Sequence, residues 1–245
     1  MRFFILFTLF FTISWTVAAE NEARLTDQTT VFAEQHVYPV LKKSVDASSQ
    51  LILATGAVAV FLTEPQDDSI RNQWVDHQKM DSRSSRVGDV MGSGLGGLLV
   101  LGGQYFYDID SNHWQSHARA LVFSTTVSSV MKYAVGRPRP GSSRDHYSFP
   151  SGHTTTAFAT ATSVAYAYGW EGAVIAYPLA IFVGLSRLAD DAHWGSDVVA
   201  GAFIGFWAAR ASSYSLDAIP ASTSQSLWVP VVEAEQVGLK WVYQY

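Results

Sequence analysis

Apolar segments alternate with shorter polar stretches along most of the chain. Six apolar segments cover residues 51–62, 91–107, 118–135, 154–168, 173–185 and 198–209. Segments of this length are typical of helices that pack against one another, because strands are usually shorter. The pattern therefore predicts an all-α fold, a bundle of about six core helices.

The two ends of the chain follow different patterns. Residues 1–19 contain the basic residue Arg2, an uncharged run and the small residues Ala18 and Ala19 at a candidate cleavage site. These features predict a secretory signal peptide. An uncleaved membrane anchor is the alternative. Residues 20–49 are polar and predict an N-terminal arm, and residues 50–212 form the predicted domain. Residues 213–245 read as a linker and tail, in which alternation from Val237 to Tyr245 allows a small C-terminal β-hairpin.

Composition narrows the classes of function. The 245 residues include 16 Lys and Arg against 21 Asp and Glu, and the net charge of −5 argues against a nucleic-acid partner. Cysteine is absent, which excludes disulfides, thiol nucleophiles and cysteine-ligated metals. Only 15% of residues are charged and the mean hydropathy is +0.10, so membrane contact stays open.

Two motifs with candidate chemistry lie between the third and fourth apolar segments. The first runs from Lys132 to Pro140 and places Lys132, Arg137 and Arg139 within eight residues. The second, residues 150–153, reads Pro-Ser-Gly-His and precedes an apolar run. Ser151 can cap that helix and Gly152 allows a ligand close to the backbone, so the helix start is a candidate anion site with His153 at its mouth.

A third motif, residues 186–197, closes one apolar segment and opens the next. It contains Arg187, His193 and Asp197. His193 and Asp197 are four residues apart, so they share one face if the stretch is helical. The carboxylate could then hold the proton on one imidazole nitrogen and leave the other nucleophilic.

Each motif alone has a structural interpretation, as a surface cluster, a helix cap or a capping contact. Together they place two histidines, one carboxylate and at least three cations at the ends of apolar helices. Cations can clamp a tetrahedral oxyanion while one histidine attacks and the other protonates the leaving oxygen. This combination predicts phosphoryl transfer without a metal, since no separate cluster of His, Asp and Glu ligands is evident.

The three motifs resemble those of the type 2 phosphatidic acid phosphatase (PAP2) superfamily, over roughly residues 50–212. Relatives in that superfamily include class A acid phosphatases, lipid phosphatases and vanadium haloperoxidases. The resemblance implies that His193 is the nucleophile, that Asp197 orients it and that His153 protonates the leaving alcohol. It further implies a phosphate site built from Lys132, Arg139, Ser151, Gly152 and Arg187.

One departure from the family pattern is visible: only residues 141–149 separate the first two motifs. That connection is shorter than the family usually shows, which predicts an altered mouth to the substrate pocket. Arg137, Arg144 and His146 are additional polar groups there without an assigned role.

The leading hypothesis is a phosphohistidine phosphatase that acts on a lipid phosphate or diphosphate in the cell envelope, exported and in contact with the membrane. Candidate substrates are phosphatidic acid, phosphatidylglycerol phosphate, undecaprenyl diphosphate and lipid A phosphate. The alternatives are a soluble exported acid phosphatase and a vanadate-dependent haloperoxidase. No cofactor is predicted for a phosphatase, in which vanadate would be an inhibitor. The sequence leaves open the oligomeric state and whether the apolar helices span the bilayer.

Overall fold

A computed structural model describes residues 29–108, 110–141 and 145–213, and the backbone of residues 226–233 and 236–243. The predicted signal peptide and most of the predicted linker lie outside the described residues. The chain divides into two units, residues 1–39 and residues 40–245. In the first unit the described residues are helical and include a π-helical turn, Ala33–Val37. The predicted domain boundaries stay predictions.

The second unit is built from helices. The described helices are α1 (Tyr38–Ser44, which begins at the end of the first unit), α2 (Ala47–Thr63), α3 (Asp67–Val75), α4 (Ser82–Gly92), α5 (Leu95–Tyr107), α6 (Ser111–Val135), α7 (Gly152–Ala189) and α8 (Gly195–Ser212). A short 3₁₀ helix, Glu64–Gln66, joins α2 to α3. This architecture confirms the predicted all-α bundle.

The helix boundaries differ from the hydrophobic segments in three places. The apolar segment 91–107 is divided between α4 and α5, because Gly94 adopts a φ of +95° that breaks the helix. Segments 154–168 and 173–185 both belong to α7, which kinks at Gly169, where φ is +68° and ψ is −151°. The charged stretch 64–86 also contributes helices, α3 and α4, although it has no continuous apolar run.

Side-chain caps set the starts of several helices. Asp46 accepts a hydrogen bond from the Ser49 amide at 2.8 Å and starts α2. Asp81 and Asp110 cap α4 and α6 in the same way. Such caps satisfy amides that have no acceptor within the helix. Gly136, in the left-handed conformation, ends α6 just before the first Arg-Pro pair.

The helices pack through small residues. The buried apolar cluster consists of Ala120, Ala159 and Ala209, from α6, α7 and α8. Serine, threonine and glycine fill much of the remaining interior, whereas large apolar side chains on α2, α5 and α7 face outward. Helices that approach closely need such small residues at their contacts.

Two stretches are long and apolar enough to cross a bilayer by length and composition. They are Ala47–Val75 and Gly152–Ala189, and only 11% and 33% of their most apolar windows are buried. A core helix of a soluble protein would be mostly buried. These two stretches are not, and most of their apolar surface has no protein partner among the described residues.

The C-terminal strands form a hairpin. Strand β1 (Ser226–Glu233) pairs with β2 (Gln236–Tyr243) in an antiparallel register that places Trp228 opposite Trp241. The hairpin that the alternating tail allowed is therefore present in the backbone.

Gly201 provides a test of the close packing between α7 and α8. A Cβ atom at this position would lie 2.6 Å from the backbone oxygen of Ser151, which cannot withdraw because it starts α7. Gly201→Ala should therefore lower the thermal unfolding temperature, with a cost of about 1–3 kcal/mol for overpacking. The matched control is Gly102→Ala in α5, where a Cβ would meet nothing within 4 Å. It should be neutral or stabilising, because alanine favours the helix; equal losses in both variants would contradict this packing.

Candidate active site

The amino-terminal ends of α7 and α8 meet at the site. The backbone amide of Ser151, which precedes α7, donates a hydrogen bond to the backbone oxygen of Asp197 in the first turn of α8, at 3.0 Å. Both helix starts carry amides without intrahelical acceptors and the positive end of a helix dipole. Their convergence creates a region suited to an anion.

His193 lies in the connection between α7 and α8, with its two ring nitrogens in different surroundings. Nδ1 lies 3.7 Å from Oδ2 of Asp197, and Nε2 lies 3.3 Å from Nη1 of Arg139. His193 precedes α8, so the pair meets through the turn that starts the helix and not along a helical face. The ring is only 4% exposed. Nε2 is thus the nitrogen that faces Arg139.

Asp197 is fully buried and held by several donors. The Ser148 hydroxyl and the Trp194 amide donate to Oδ2 at 2.5 and 2.9 Å, and Nη1 of Arg137 donates to Oδ1 at 2.7 Å. Burial alone would raise the pKa of Asp197. The His193 ring, these two donors and the Arg137 charge outweigh burial and hold the pKa below its usual value. Asp197 is therefore a stable anion beside His193.

The pKa of His193 is lowered, chiefly because burial disfavours the imidazolium form. Asp197 acts in the opposite direction, and the charges of Arg139 and Lys132 add to the effect of burial. Burial and these two charges thus favour the neutral imidazole, the form that a nucleophilic histidine requires.

Lys132 and Arg139 approach the site from the segment around the end of α6. Nζ of Lys132 donates to the backbone oxygens of Tyr147 and Pro150 at 2.9 and 2.6 Å. Arg139 donates to the backbone oxygen of Ala192 at 2.8 Å, next to His193. Burial, with a contribution from the Arg139 charge, lowers the pKa of Lys132 to about 8. The positive charge of Lys132 is therefore sensitive to mildly alkaline pH.

His153 and Arg187 share a carboxylate that the motifs do not include. Oδ1 of Asp89, in α4, lies 3.1 Å from Nε2 of His153 and 2.6 Å from Nη1 of Arg187. Arg187 also pairs with Asp190 at 2.5 Å. The charges of Arg187, His193 and Arg139 all act on the His153 ring, so the three sequence motifs converge on one place.

Ser151 and Gly152 contribute their backbone to the site at the start of α7. Ser151 is fully buried, and its hydroxyl accepts from the Thr154 hydroxyl at 2.9 Å and from the Thr154 amide at 3.4 Å. Its side chain therefore serves as the helix cap. A Cβ on Gly152 would lie 3.6 Å from Cε of Lys132, so this part of the backbone borders the lysine. Contact of either residue with phosphate stays a prediction.

Four site residues were not assigned from the sequence. Asp89 contacts His153, and Asp145 contacts Arg139. Ser148 and Arg137 both contact Asp197. Three of them, Ser148, Asp145 and Arg137, lie within or next to the connection formed by residues 141–149. The unusual shortness of that connection was the sequence signal that could have pointed to them. Asp89 had no such signal, because it lies about 60 residues before the second motif in a polar stretch. His146 is exposed, and Arg144 lies outside the described residues.

Among the described residues, no three His, Asp or Glu side chains are grouped in a way that could hold a metal ion. The acidic groups at the site pair instead with arginines or histidines.

Residues 116–219 match the family model of the PAP2 superfamily. The chain is 34% identical to a lipid A 1-phosphatase of Porphyromonas gingivalis over 69% of this chain and 38% of that protein. It is 35% identical to lipid A 1-phosphatases of Rhizobium johnstonii and Rhizobium etli over 36% of this chain, and 41% and 43% of those proteins. The aligned regions therefore span about two fifths of these relatives.

Two solved structures share the fold. The crystal structure of Aquifex aeolicus LpxE has a TM-score of 0.51 and 21% identity, and covers 62% of this chain and 94% of that one. The transmembrane PAP2-type phosphatidylglycerolphosphate phosphatase from Bacillus subtilis has a TM-score of 0.50 and 20% identity, covering 64% and 90%.

The helical bundle shares its fold with these two phosphatase structures. Over residues 116–219 the chain resembles the PAP2 superfamily.

The charge of Lys132 can be tested by anion binding. Above a pH of about 8 the free enzyme should lose this charge, so inhibition by tungstate, which stays a dianion in this range, should weaken progressively. Lys132→Arg keeps its charge because the guanidinium does not deprotonate, so its tungstate inhibition should stay flat with pH even if it is weaker overall. The measurement is the competitive inhibition constant from pH 6 to 10; parallel profiles for both proteins would remove Lys132 from the anion site.

Proposed function

We propose that the protein hydrolyses a phosphate ester or diphosphate of a lipid at a membrane surface, through a phosphohistidine on His193. The observation that carries this proposal is the split environment of His193. Its Nδ1 faces a buried carboxylate, and its Nε2 faces the guanidinium of Arg139, next to the starts of α7 and α8. That arrangement suits nucleophilic attack on a phosphoryl group whose oxygens the cations bind.

The reaction has two steps. Nε2 of His193 forms a bond to phosphorus as the bond from phosphorus to the leaving oxygen breaks, and His153 gives its proton to that oxygen. Water then attacks the phosphohistidine, His153 takes a proton from the water, and phosphate leaves as the phosphorus–nitrogen bond breaks. Asp197 orients His193 and stabilises the positive ring during both steps. The proposed mechanism needs no metal.

The distribution of apolar side chains supports a lipid substrate over a soluble ester. Phe61 on α2, Leu99 and Phe106 on α5 and Ile175 on α7 are among the large side chains that are more than half exposed. Extended apolar surfaces of this kind mark contacts with membranes or partners. The small residues between the helices fit the same environment, since close approach stabilises helix packing in lipid.

A cavity along α4 combines charged and apolar side chains, which suits a charged lipid. It is lined by Ser82, Arg83, Arg86, Val87, Val90 and Met91. Arg86 precedes Asp89 by three residues on the same helix, so the two side chains share one face of α4. Relatives of the chain are named lipid A 1-phosphatases, which makes a lipid A-type phosphate the first substrate to test.

The covalent step predicts a trappable intermediate. Enzyme incubated with a ³²P-labelled lipid phosphate in vesicles and quenched in alkali, in which phosphohistidine is stable, should retain label. His193→Ala should lose both label and turnover because no other motif side chain can replace the nucleophile. His146→Ala, an exposed histidine in the connection, is the matched control and should behave as wild type.

Label on the His193→Ala protein would contradict the assignment of the nucleophile. Activity lost in EDTA and restored by magnesium would contradict the metal-free mechanism. Faster turnover of a soluble ester than of the lipid, by protein that does not bind vesicles, would favour the exported acid phosphatase.

The role of His153 predicts a dependence on the leaving group. An aryl phosphate leaves with little need for protonation, whereas an alkyl or lipid phosphate requires a proton on the leaving oxygen. His153→Ala should therefore lose more rate on the alkyl substrate than on the aryl substrate, by a factor of about 10², the low end of general-acid effects. The measurement is kcat on the two substrates with both proteins, and equal losses would mean that His153 is not the general acid.

A further inference from the structure

A second buried carboxylate lies behind the site, on a helix that none of the motifs includes. Asp67 is the first residue of α3 and is 4% exposed. Oδ1 accepts from the Ser196 amide at 2.8 Å, and Oδ2 accepts from the Ser196 hydroxyl at 2.5 Å and from Nη2 of Arg137 at 2.8 Å. All of these partners lie next to Asp197 in the chain or contact it.

Arg137 connects the two carboxylates. Nη1 donates to Oδ1 of Asp197 at 2.7 Å and to the Ser196 hydroxyl at 2.7 Å, while Nη2 donates to Asp67. The guanidinium also stacks over the Trp194 ring, with 5.4 Å between its central carbon and the ring centroid. The result is a row of alternating charges, Asp67, Arg137 and Asp197, that ends at His193.

We propose that Asp67 and Arg137 are positioning residues, which fix the orientation and charge of Asp197 and through it the reactivity of His193. The proposal rests on the proposed function, since it assigns these residues to the same nucleophile. Neither side chain bonds to Lys132, Arg139 or Arg187, the side chains predicted to bind the phosphate, or to His153, the predicted general acid.

The geometry explains why the carboxylate needs this support. Arg137 occupies Oδ1 of Asp197, so Oδ2 is the oxygen left to face Nδ1 of His193, at 3.7 Å. Nδ1 is buried and makes no hydrogen bond to any described residue, and at 3.7 Å the Asp197 oxygen lies just beyond hydrogen-bond distance. The orientation of Asp197 therefore decides whether this ring nitrogen has an acceptor.

The positions of the charges predict opposite effects for the two residues. Arg137→Gln removes the cation that balances Asp197, so Asp197 should hold the proton of His193 more strongly. Asp67→Asn frees Arg137 from its second carboxylate, so the guanidinium should balance Asp197 more fully and His193 should lose its proton more easily. The other titratable or charged groups around His193 stay unchanged. They are Lys132 on α6, Arg139 and Asp145 before α7, His153 and Arg187 on α7, Asp190 just after α7, and Asp89 on α4.

The experiment measures kcat/KM against pH for the full chain and each variant. Relative to wild type, the acid limb should move to higher pH in Arg137→Gln and to lower pH in Asp67→Asn. In both variants kcat should fall by about 10- to 100-fold, the usual cost of losing a supporting contact. Inhibition by tungstate should stay unchanged, because the phosphate-binding cations are intact. Arg137→Lys keeps the charge and should recover part of kcat with a wild-type acid limb.

Arg71→Gln is the matched control. Arg71 lies on the same helix and makes a bidentate pair with Asp191 at 2.6 Å, also joining α3 to the connection before α8, but it has no bond to Asp197. It should leave kcat and the acid limb unchanged. If Arg137→Gln does not fold, the direction of the shift in Asp67→Asn, set against Arg137→Lys, decides the question.

Equal acid limbs in all variants, shifts in the same direction, or weaker tungstate binding would overturn the positioning role and indicate a structural one. That failure is distinguishable from failure of the proposed function. If wild-type enzyme carries labelled phosphate on His193 but these variants do not shift as described, only the positioning role is lost. If wild-type enzyme neither turns over nor carries label, both are lost.

Discussion

The burial of Asp197 is the constraint on which the arrangement of the helix ends depends. A carboxylate removed from water is costly unless donors surround it. Here the donors come from Ser148 before α7, Trp194 before α8 and Arg137 after α6, and the backbone oxygen of Asp197 also accepts from Ser151. Satisfying this one residue therefore brings three segments together and places the starts of α7 and α8 side by side.

The same principle governs the cations. Arg187 pairs with Asp89 and Asp190, and Arg139 pairs with Asp145, so these arginines are balanced by carboxylates before any phosphate arrives. Pairing offsets the repulsion between cations that lie close together. Lys132 differs because it donates to the backbone oxygens of Tyr147 and Pro150, which is consistent with the sensitivity of its charge to pH.

The packing of the bundle separates two kinds of surface. Between the helices lie alanine, glycine, serine and threonine, while large apolar side chains of α2, α5 and α7 point outward. In water the larger apolar side chains would be expected inside. The inverted distribution supports the proposed membrane contact and places a charged site at the ends of helices whose sides are apolar.

Much of the fold and part of the site could be predicted from the sequence. The apolar segments determined the helical class, because their length suits helices. The three motifs identified His153, Arg187 and His193 by residue type and spacing, and the structure brings these residues together. The helix boundaries were harder to predict, because they depend on the backbone conformation of single glycines. Gly94 divides one apolar segment between two helices, whereas α7 continues across the kink at Gly169 and joins two segments.

Contacts between distant parts of the chain were decided only by the tertiary structure. Asp67 and Asp89 are acidic residues in a charged stretch, and nothing local distinguishes them from their solvated neighbours. Their significance arises because α3 carries Asp67 to Arg137 and α4 carries Asp89 to His153, across 70 and 64 positions of the chain respectively. Local sequence determines which side chains can ionise, but the low dielectric and the partners that define their roles exist only once the helices have packed.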